Sequence, residues 1–367
     1  MNLFDASDIS VFKNEDVLDF NFRPEKLLHR DDEINTITSA IKPIIRLRTP
    51  QNIFIHGAPG IGKTAVTLYI LDELRSYTEK IKALYVNCWQ YSTRHAVLVY
   101  ILNELGELIP RKGISTDELW ERLLYRLDKK ADGYIIALDE VDRLGAKESA
   151  ILYDFLRSGI RIGLILISND AYVFRNLDPR IQSTLIYEEI LFKNYELHEI
   201  TDILKERAEH AFIRGRYAEE IIGICARFVE SAGSDIRLGL QALLNAGRLA
   251  DRNGDPVVEV SHLKQVISEI RSVRLKMALK SLNNEELKIL TSILQCSTPV
   301  TSGNLYKQYV SLGGGAAERT FRKYLNHLEG LRLIYTMFSG QGIRGNTRLI
   351  SLRYPREDIE KEIYRIS

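Results

Sequence analysis

Residues 57–64 read Gly57-Ala58-Pro59-Gly60-Ile61-Gly62-Lys63-Thr64. They follow an apolar run, NIFIH at 52–56, and open a helical pattern, AVTLYILDELRSY at 65–77. The pattern G-x-x-x-x-G-K-[ST] in that strand-to-helix context is a phosphate-binding loop rather than an ordinary glycine turn. Its glycines let backbone N–H groups turn inward around phosphate oxygens, and the helix behind it offers the positive end of its dipole. Lys63 is placed to reach the β- and γ-phosphates, Thr64 to hold Mg²⁺, and Ala65 to close the cradle. ATP or ADP with Mg²⁺ is the expected cofactor.

A second half of such a site lies downstream. Tyr134 to Asp139 (YIIALD) is an apolar strand ending in acid, followed at once by Glu140. Alone, this is a strand running into solvent. Beside a phosphate loop, Asp139 becomes the Mg²⁺ carboxylate and Glu140 the group that orients or deprotonates an attacking water. Further short apolar runs, ALYVN (83–87), IGLILIS (162–168) and TLIYEEI (184–190), alternate with helical patterns such as DELWERLLYRLDKK (117–130). Continuous apolarity marks strands covered on both faces. The alternation predicts an α/β fold with a parallel sheet and ligands at the strands' C-terminal ends.

Beyond residue 195 the pattern is helical without strands, to about residue 275. The last part then reads as three helices (284–294, 302–312, 316–331), two strands (332–338, 348–354) and a glycine-rich tip between them, which is the winged-helix order. The expected domains are an acidic N-terminal arm with little structure of its own (1–22), an α/β nucleotide-binding domain (23–194), a helical lid (195–275) and a winged helix (276–367). A chain of 367 residues, 45% hydrophobic and 27% charged, can bury several cores.

Net charge is only +1, yet it is uneven. Ala316 to Arg353 carries seven basic residues against two acidic ones, and Met1 to Glu33 nine acidic against four basic. That asymmetry points to a polyanion partner at the C-terminal end. Three scattered cysteines, Cys88, Cys225 and Cys296, show neither metal spacing nor a disulfide framework and fit a reducing cytoplasm. No apolar run approaches the ~20 residues of a membrane span, and the opening residues do not read as a signal peptide.

In a winged helix the third helix enters the major groove and the hairpin tip meets the backbone. Arg319, Thr320, Arg322 and Lys323 lie on that helix, and Arg344 and Arg348 flank the wing. A solvated basic face on a protein-binding wing is the competing reading.

GAPGIGKT together with LDEVD resembles the AAA+ ATPases. FRPEKLLHRDDEI (22–34), VNCWQYST (86–93), ISNDAYVFRNLDPRIQSTL (167–185), LKERAEHAF (204–212) and GIRGNTRLISL (342–352) narrow the likeness. They are similar to the archaeal origin-recognition initiators, a family related to origin recognition complex subunit one and cell-division-cycle protein six. The likeness runs from about residue 22 to 354.

The resemblance implies several roles. Asn169 is the sensor of the γ-phosphate or the water, although on its own it reads as a strand-end turn. Arg237, in a segment whose register departs slightly from the family's, is a second sensor acting in cis. Arg180 is the finger offered to a neighbouring subunit's nucleotide, or else a surface arginine. Asn87 either restrains Glu140 or is a core-edge residue. His29 and Arg30 line the adenine pocket, and Tyr195 and Ile203 close over the base, with core packing the alternative for Tyr195. Residues 90–115 correspond to an initiator-specific insertion that meets DNA through Arg94, Arg111 and Lys112, while its central apolar residues pack.

The function so implied is an initiator that binds origin duplex DNA, uses ATP binding and slow hydrolysis as a switch, and helps recruit or load the replicative helicase, alone or with other initiator subunits, in the nucleoid. A regulatory ATPase whose winged helix binds proteins or promoters, and a clamp- or helicase-loader subunit, are the alternatives.

Overall fold

The computed structural model describes residues 10–110, 113–145, 147–338 and 348–366. The chain forms two compact units, residues 1–263 and 264–367.

The first unit is built on five strands: β1 (Asn52–Gly57), β2 (Ile81–Asn87), β3 (Gly133–Asp139), β4 (Ile162–Ser168) and β5 (Tyr187–Phe192). They pair in the order β2-β3-β4-β1-β5, and every pairing is parallel. Every residue of β3 and β4 is buried, which explains why these two strands read as unbroken apolar runs. β5 is an edge strand, and there the burial alternates: Glu188 and Glu189 face solvent while Ile190 and Phe192 face inward. This strand starts three residues later than the apolar run suggested. Pro179–Thr184 is a short helix (α6 below) begun by an Asp178 cap and Pro179 at its first position, so Thr184 is spent on it.

Helices α1 (Asp31–Ile41), α2 (Lys63–Tyr77), α3 (Arg94–Glu104), α4 (Thr116–Lys130), α5 (Ala150–Arg157) and α6 (Pro179–Thr184) surround the sheet. The chain leaves β2 through two helices before β3. Val97, Leu98, Ile101 and Leu102 of α3 are fully buried against Leu119, Leu123 and Leu127 of α4. The apolar face of the 90–115 segment is thus core. The helical part that follows consists of α7 (Leu197–Ala211), α8 (Glu220–Ser231) and α9 (Ile236–Asn253), ending on a left-handed Gly254. α10 (Val260–Lys280) begins in this unit and continues into the second.

The described part of the arm, residues 10–22, has one 3₁₀ turn of its own and is docked on the helical part. Val11 and Leu18 are buried, Glu15–Leu18 is a 3₁₀ turn, and Phe12 stacks on Phe212 at 5.0 Å. The backbone N–H groups of Lys13 and Asn14 both donate to the Ala211 carbonyl, and Arg207 donates to the Val17 carbonyl at 3.0 Å. A methyl group on Gly247 of α9 would lie 2.2 Å from the Phe12 ring, so the ring can seat there only against a glycine. Phe12→Ala removes a half-buried ring and its stacking partner, and should lower unfolding free energy by about 2 kcal/mol. Urea denaturation followed by circular dichroism checks this; an unchanged midpoint would mean that the arm adds nothing to the lid.

The second unit holds α11 (Asn284–Gln295), α12 (Ser302–Ser311), α13 (Glu318–Gly330), a short β6 (Val300–Thr301), the pair β7 (Ile334–Phe338) and β8 (Arg348–Leu352), and α14 (Arg356–Ile366). The strands are antiparallel in the order β6-β8-β7. α11 opens with a capping box, Asn283 and Glu286 each accepting the other's backbone N–H. Phe321, Leu325 and Leu328, on one face of α13, enter a core with Ile289, Ile293, Leu305, Tyr309 and Ile350, to which α10 contributes Leu275 and Leu279. β6 and α14 go beyond the elements expected from sequence.

Candidate functional site

The phosphate loop leaves the C-terminal end of β1, between β4 and the edge strand β5. Gly60 (φ +77°) and Gly62 (φ +95°) occupy the left-handed region, where a side chain would be strained. Space excludes one as well: a Cβ on Gly60 would sit 1.9 Å from Asp235 Oδ1, and one on Gly62 2.9 Å from the Tyr195 hydroxyl. Gly57, Ala58, Pro59 and Ile61 complete the turn. α2 starts at Lys63, with Thr64 and Ala65 exposed at its first turn and its unpaired N–H groups open to an anion.

Lys63 Nζ donates to the carbonyls of Gly57 (2.8 Å) and Ala58 (2.7 Å) and to Asn169 Oδ1 (2.8 Å). Burial pulls its pKa down to about 8; Asp139 acts against that shift and Arg237 adds to it. A polyphosphate beside this ammonium would favour its charged form against the effect of burial. Asn169 lies just past the end of β4, and the structure brings it to Lys63.

Asp139 ends β3. Its Oδ2 accepts from Thr64 Oγ1 (2.6 Å) and from the Tyr85 hydroxyl (2.8 Å), and its Oδ1 accepts from the Glu140 backbone N–H (2.8 Å). Among the described residues no group of three or more His, Cys, Asp or Glu could hold a metal ion. The Thr64–Asp139 pair nevertheless suits Mg²⁺, which keeps most of its shell from water and phosphate and takes one or two protein oxygens.

Glu140 follows with φ +52°, a left-handed backbone that turns it out of the strand line. Burial, then Asp139 and Asp142, raise its pKa, which suits a proton acceptor. Its cationic neighbour is Arg143, 3.9 Å away and also 3.7 Å from Asp142, with its guanidinium 4.0 Å from the Trp89 ring centroid. Asn87 does not restrain Glu140 here: its Oδ1 accepts from the Trp89 N–H at 2.9 Å. Sequence reasoning misses Tyr85, Asp142 and Arg143. Alternate positions of β2 and the LDEVDR run carry the signal.

The start of α9 reaches the same loop. The Ile236 N–H donates to the Gly60 carbonyl at 3.2 Å, and Arg237 is held by Asp235 through Nε and Nη2, both at 2.9 Å. The hydrogen bond to Asp235 is the main cause of a raised Arg237 pKa, with Glu140 contributing. Arg237 thus lies in the electrostatic reach of Lys63 and Glu140. Arg180, in contrast, is far out on the surface, 81% exposed and only loosely paired with Asp178 at 3.4 Å.

Two expected base-pocket residues are placed differently. Arg30 is buried, and its Nε donates to the Tyr195 hydroxyl (3.0 Å), Nη1 to Glu33 (2.8 Å), and Nη2 to the carbonyls of Ile61 (2.9 Å) and Lys193 (3.0 Å). Its guanidinium carbon is 3.8 Å from the Tyr195 ring centroid. Both side chains are consumed by protein contacts, because a buried cation must find acceptors nearby. His29 (φ +57°) pairs with Asp202 of α7 at 3.0 Å, and Ile203 on that helix is partly buried.

The DNA-facing expectations divide in the same way. Arg94 is corrected: its Nε lies 2.8 Å from Asp154 Oδ2 and its Nη1 3.6 Å from Asp117, so its charge is neutralised between α4 and α5. Arg111, Lys112 and Arg344 lie outside the described residues. On α13, Arg319, Thr320, Arg322 and Lys323 are all exposed, with Arg322 paired to Glu318 at 2.6 Å. Arg348 donates to Asn326 Oδ1 at 2.7 Å, bracing β8 against α13.

A parallel sheet with this loop, these carboxylates and a helical group closing on the loop defines an AAA+ ATPase. Residues 45–172 match the AAA domain family, and residues 201–268 match the Cdc6 AAA+ ATPase-type lid domain. The ORC1-type DNA replication protein 1 of Sulfolobus acidocaldarius is 32% identical over 368 residues, covering 96% of this chain and 93% of the relative. The chain belongs to the family of ORC1-type DNA replication proteins, archaeal origin-recognition ATPases. The Aeropyrum pernix ORC1 protein, solved in complex with DNA, is 28% identical with a TM-score of 0.67, over 97% of this chain and 99% of that one. The Aeropyrum pernix ORC2 protein, solved as ADPNP–ADP complexes, shares the fold at 20% identity and a TM-score of 0.75, over 97% and 98% of the two chains. The family places the chain in replication initiation and makes it a nucleotide-binding protein. Among the described residues no helix is long and apolar enough to cross a membrane.

Proposed function

We propose that the chain is an ATP-switched initiator that grips origin duplex DNA through its second unit and helps recruit or load the replicative helicase, with or without further initiator subunits. The observation that carries the switch is the shared loop: Gly60, one residue of the phosphate cradle, accepts the Ile236 N–H at the start of the lid helix. That bond brings the start of the lid helix to the loop that would hold phosphate, so the two share a contact that a nucleotide could change. The three domains read from sequence fit this division of labour, with the second unit taken as a winged helix.

In this reading Lys63 and the loop N–H groups would bind phosphate, and Thr64 and Asp139 would hold Mg²⁺, with Tyr85 fixing the carboxylate. When bound, the ion neutralises phosphate charge. Glu140 accepts the proton of the attacking water, Asn169 orients that water, and Arg237 reaches the γ-phosphate once freed from Asp235. Arg180 serves a neighbouring subunit. Turnover is slow, as suits a switch, and returns the chain to an ADP state.

The test is a footprint on origin fragments at fixed salt. Protection of a discrete element is expected, at least fivefold tighter with a non-hydrolysable ATP analogue than with ADP. Equal protection of random fragments, or no difference between nucleotides, would sink the reading.

A further inference from the structure

Arg30 takes no part in the phosphate chemistry described above, yet it is only 4% exposed. Its one carboxylate partner is Glu33; its other acceptors are neutral oxygens. A buried guanidinium is costly unless each donor is met, and its fork fixes the relative positions of whatever it binds. Here the fork spans two elements of the chain. Ile61 lies inside the phosphate loop. Lys193 and Tyr195 form the link between β5 and the first lid helix. The same Nη2 bonds both carbonyls, and the Tyr195 hydroxyl that receives Nε is the atom a Cβ on Gly62 would strike. The preceding residue, His29, is held in the left-handed region and pairs with the lid at Asp202. A non-glycine residue keeps such a backbone only where its surroundings over-determine it.

We propose that Arg30 is the positioning residue that couples the phosphate loop to the lid: it ties the Ile61 carbonyl to the Lys193–Tyr195 link, so that a change in the loop on phosphate binding is passed to the lid angle. Its hydrogen bonds go to Tyr195, Glu33 and the carbonyls of Ile61 and Lys193. The proposal rests on the ATP-switch reading above. Arginine is required because a single nitrogen of a planar fork must serve two carbonyls while the plane lies on the Tyr195 ring.

The test places spin labels on cysteines replacing Tyr77, 71% exposed at the end of α2, and exposed Arg214 beyond α7, in a Cys296→Ser background. Label-to-label distances are measured at saturating ADP and at a saturating non-hydrolysable ATP analogue, in wild type, Arg30→Met, Arg30→Lys and Tyr195→Phe. Wild type should show two nucleotide-dependent distances. Arg30→Met should give one distance for both nucleotides. Arg30→Lys, which keeps the charge but reaches one carbonyl, should keep less than half of the shift. Tyr195→Phe, which loses a single hydroxyl, reduces the shift in the same direction and guards against a misfolded Arg30 variant. If Arg30→Lys binds nucleotide tenfold or more weakly yet shifts as wild type does at saturation, Arg30 is a nucleotide contact and the coupling is overturned. A wild type without any shift overturns the switch itself, and the coupling with it.

Discussion

Replacing Lys63 by alanine is expected to weaken retention of adenine nucleotide by about a hundredfold, because it removes one to two charge-assisted hydrogen bonds of roughly 1.5–3 kcal/mol each. The structure sharpens the argument beyond a missing charge. The ammonium is already desolvated and held by Gly57, Ala58 and Asn169, so its orientation costs little when phosphate arrives. Alanine also unties the loop from β4. Isothermal calorimetry with ATP and ADP measures the loss, and a thermal midpoint separates it from unfolding. Asn169→Ala should be milder, since Lys63 keeps two carbonyl partners. A Lys63→Ala protein that binds within threefold of wild type would remove the phosphate cradle from the account.

The second large effect belongs to α13. The triple replacement Arg319→Ala, Arg322→Ala, Lys323→Ala should reduce duplex affinity about 100- to 1,000-fold near 0.15 M salt. It should also flatten the slope of log affinity against log salt by about 2.7, or about 0.9 for each phosphate that a side chain no longer neutralises. All three side chains are exposed, and Phe321, Leu325 and Leu328 keep the helix seated. Alanine is a strong helix former, so the fold should hold. A salt titration by fluorescence anisotropy gives both quantities. If the slope stays put, this face does not meet phosphate, and a protein partner becomes the better occupant of the second unit.

Much of the fold and of the phosphate site is legible in the sequence. The loop at 57–64 and the acid-ended strand at 134–139 are short, local patterns whose chemistry dictates their spacing. Strands buried on both faces print themselves as apolar runs. What escapes has a common cause: the deciding partner is remote in the chain. Arg94 reads as a free cation until Asp154 is brought to it, and Arg30 reads as a pocket residue until Ile61 and Lys193 converge on it. The arm carries Val11, Phe12, Val17 and Leu18 at no regular period, and nothing near them announces that Gly247 leaves room for a ring. β6, two residues long, pairs with β8, and although Val300 and Thr301 are β-branched, a run of two is too short to read as a strand.

The seating of the arm also has a consequence for synthesis. Ser10 and Val11 bond to Asp251, some 240 positions later. Emerging from a ribosome at roughly 5–20 residues per second, the arm must wait roughly 10–50 s for its partner to appear. During that delay Val11, Phe12 and Leu18 are uncovered beside a nascent sheet. The nine acidic residues among the first 33 keep that stretch soluble while it waits.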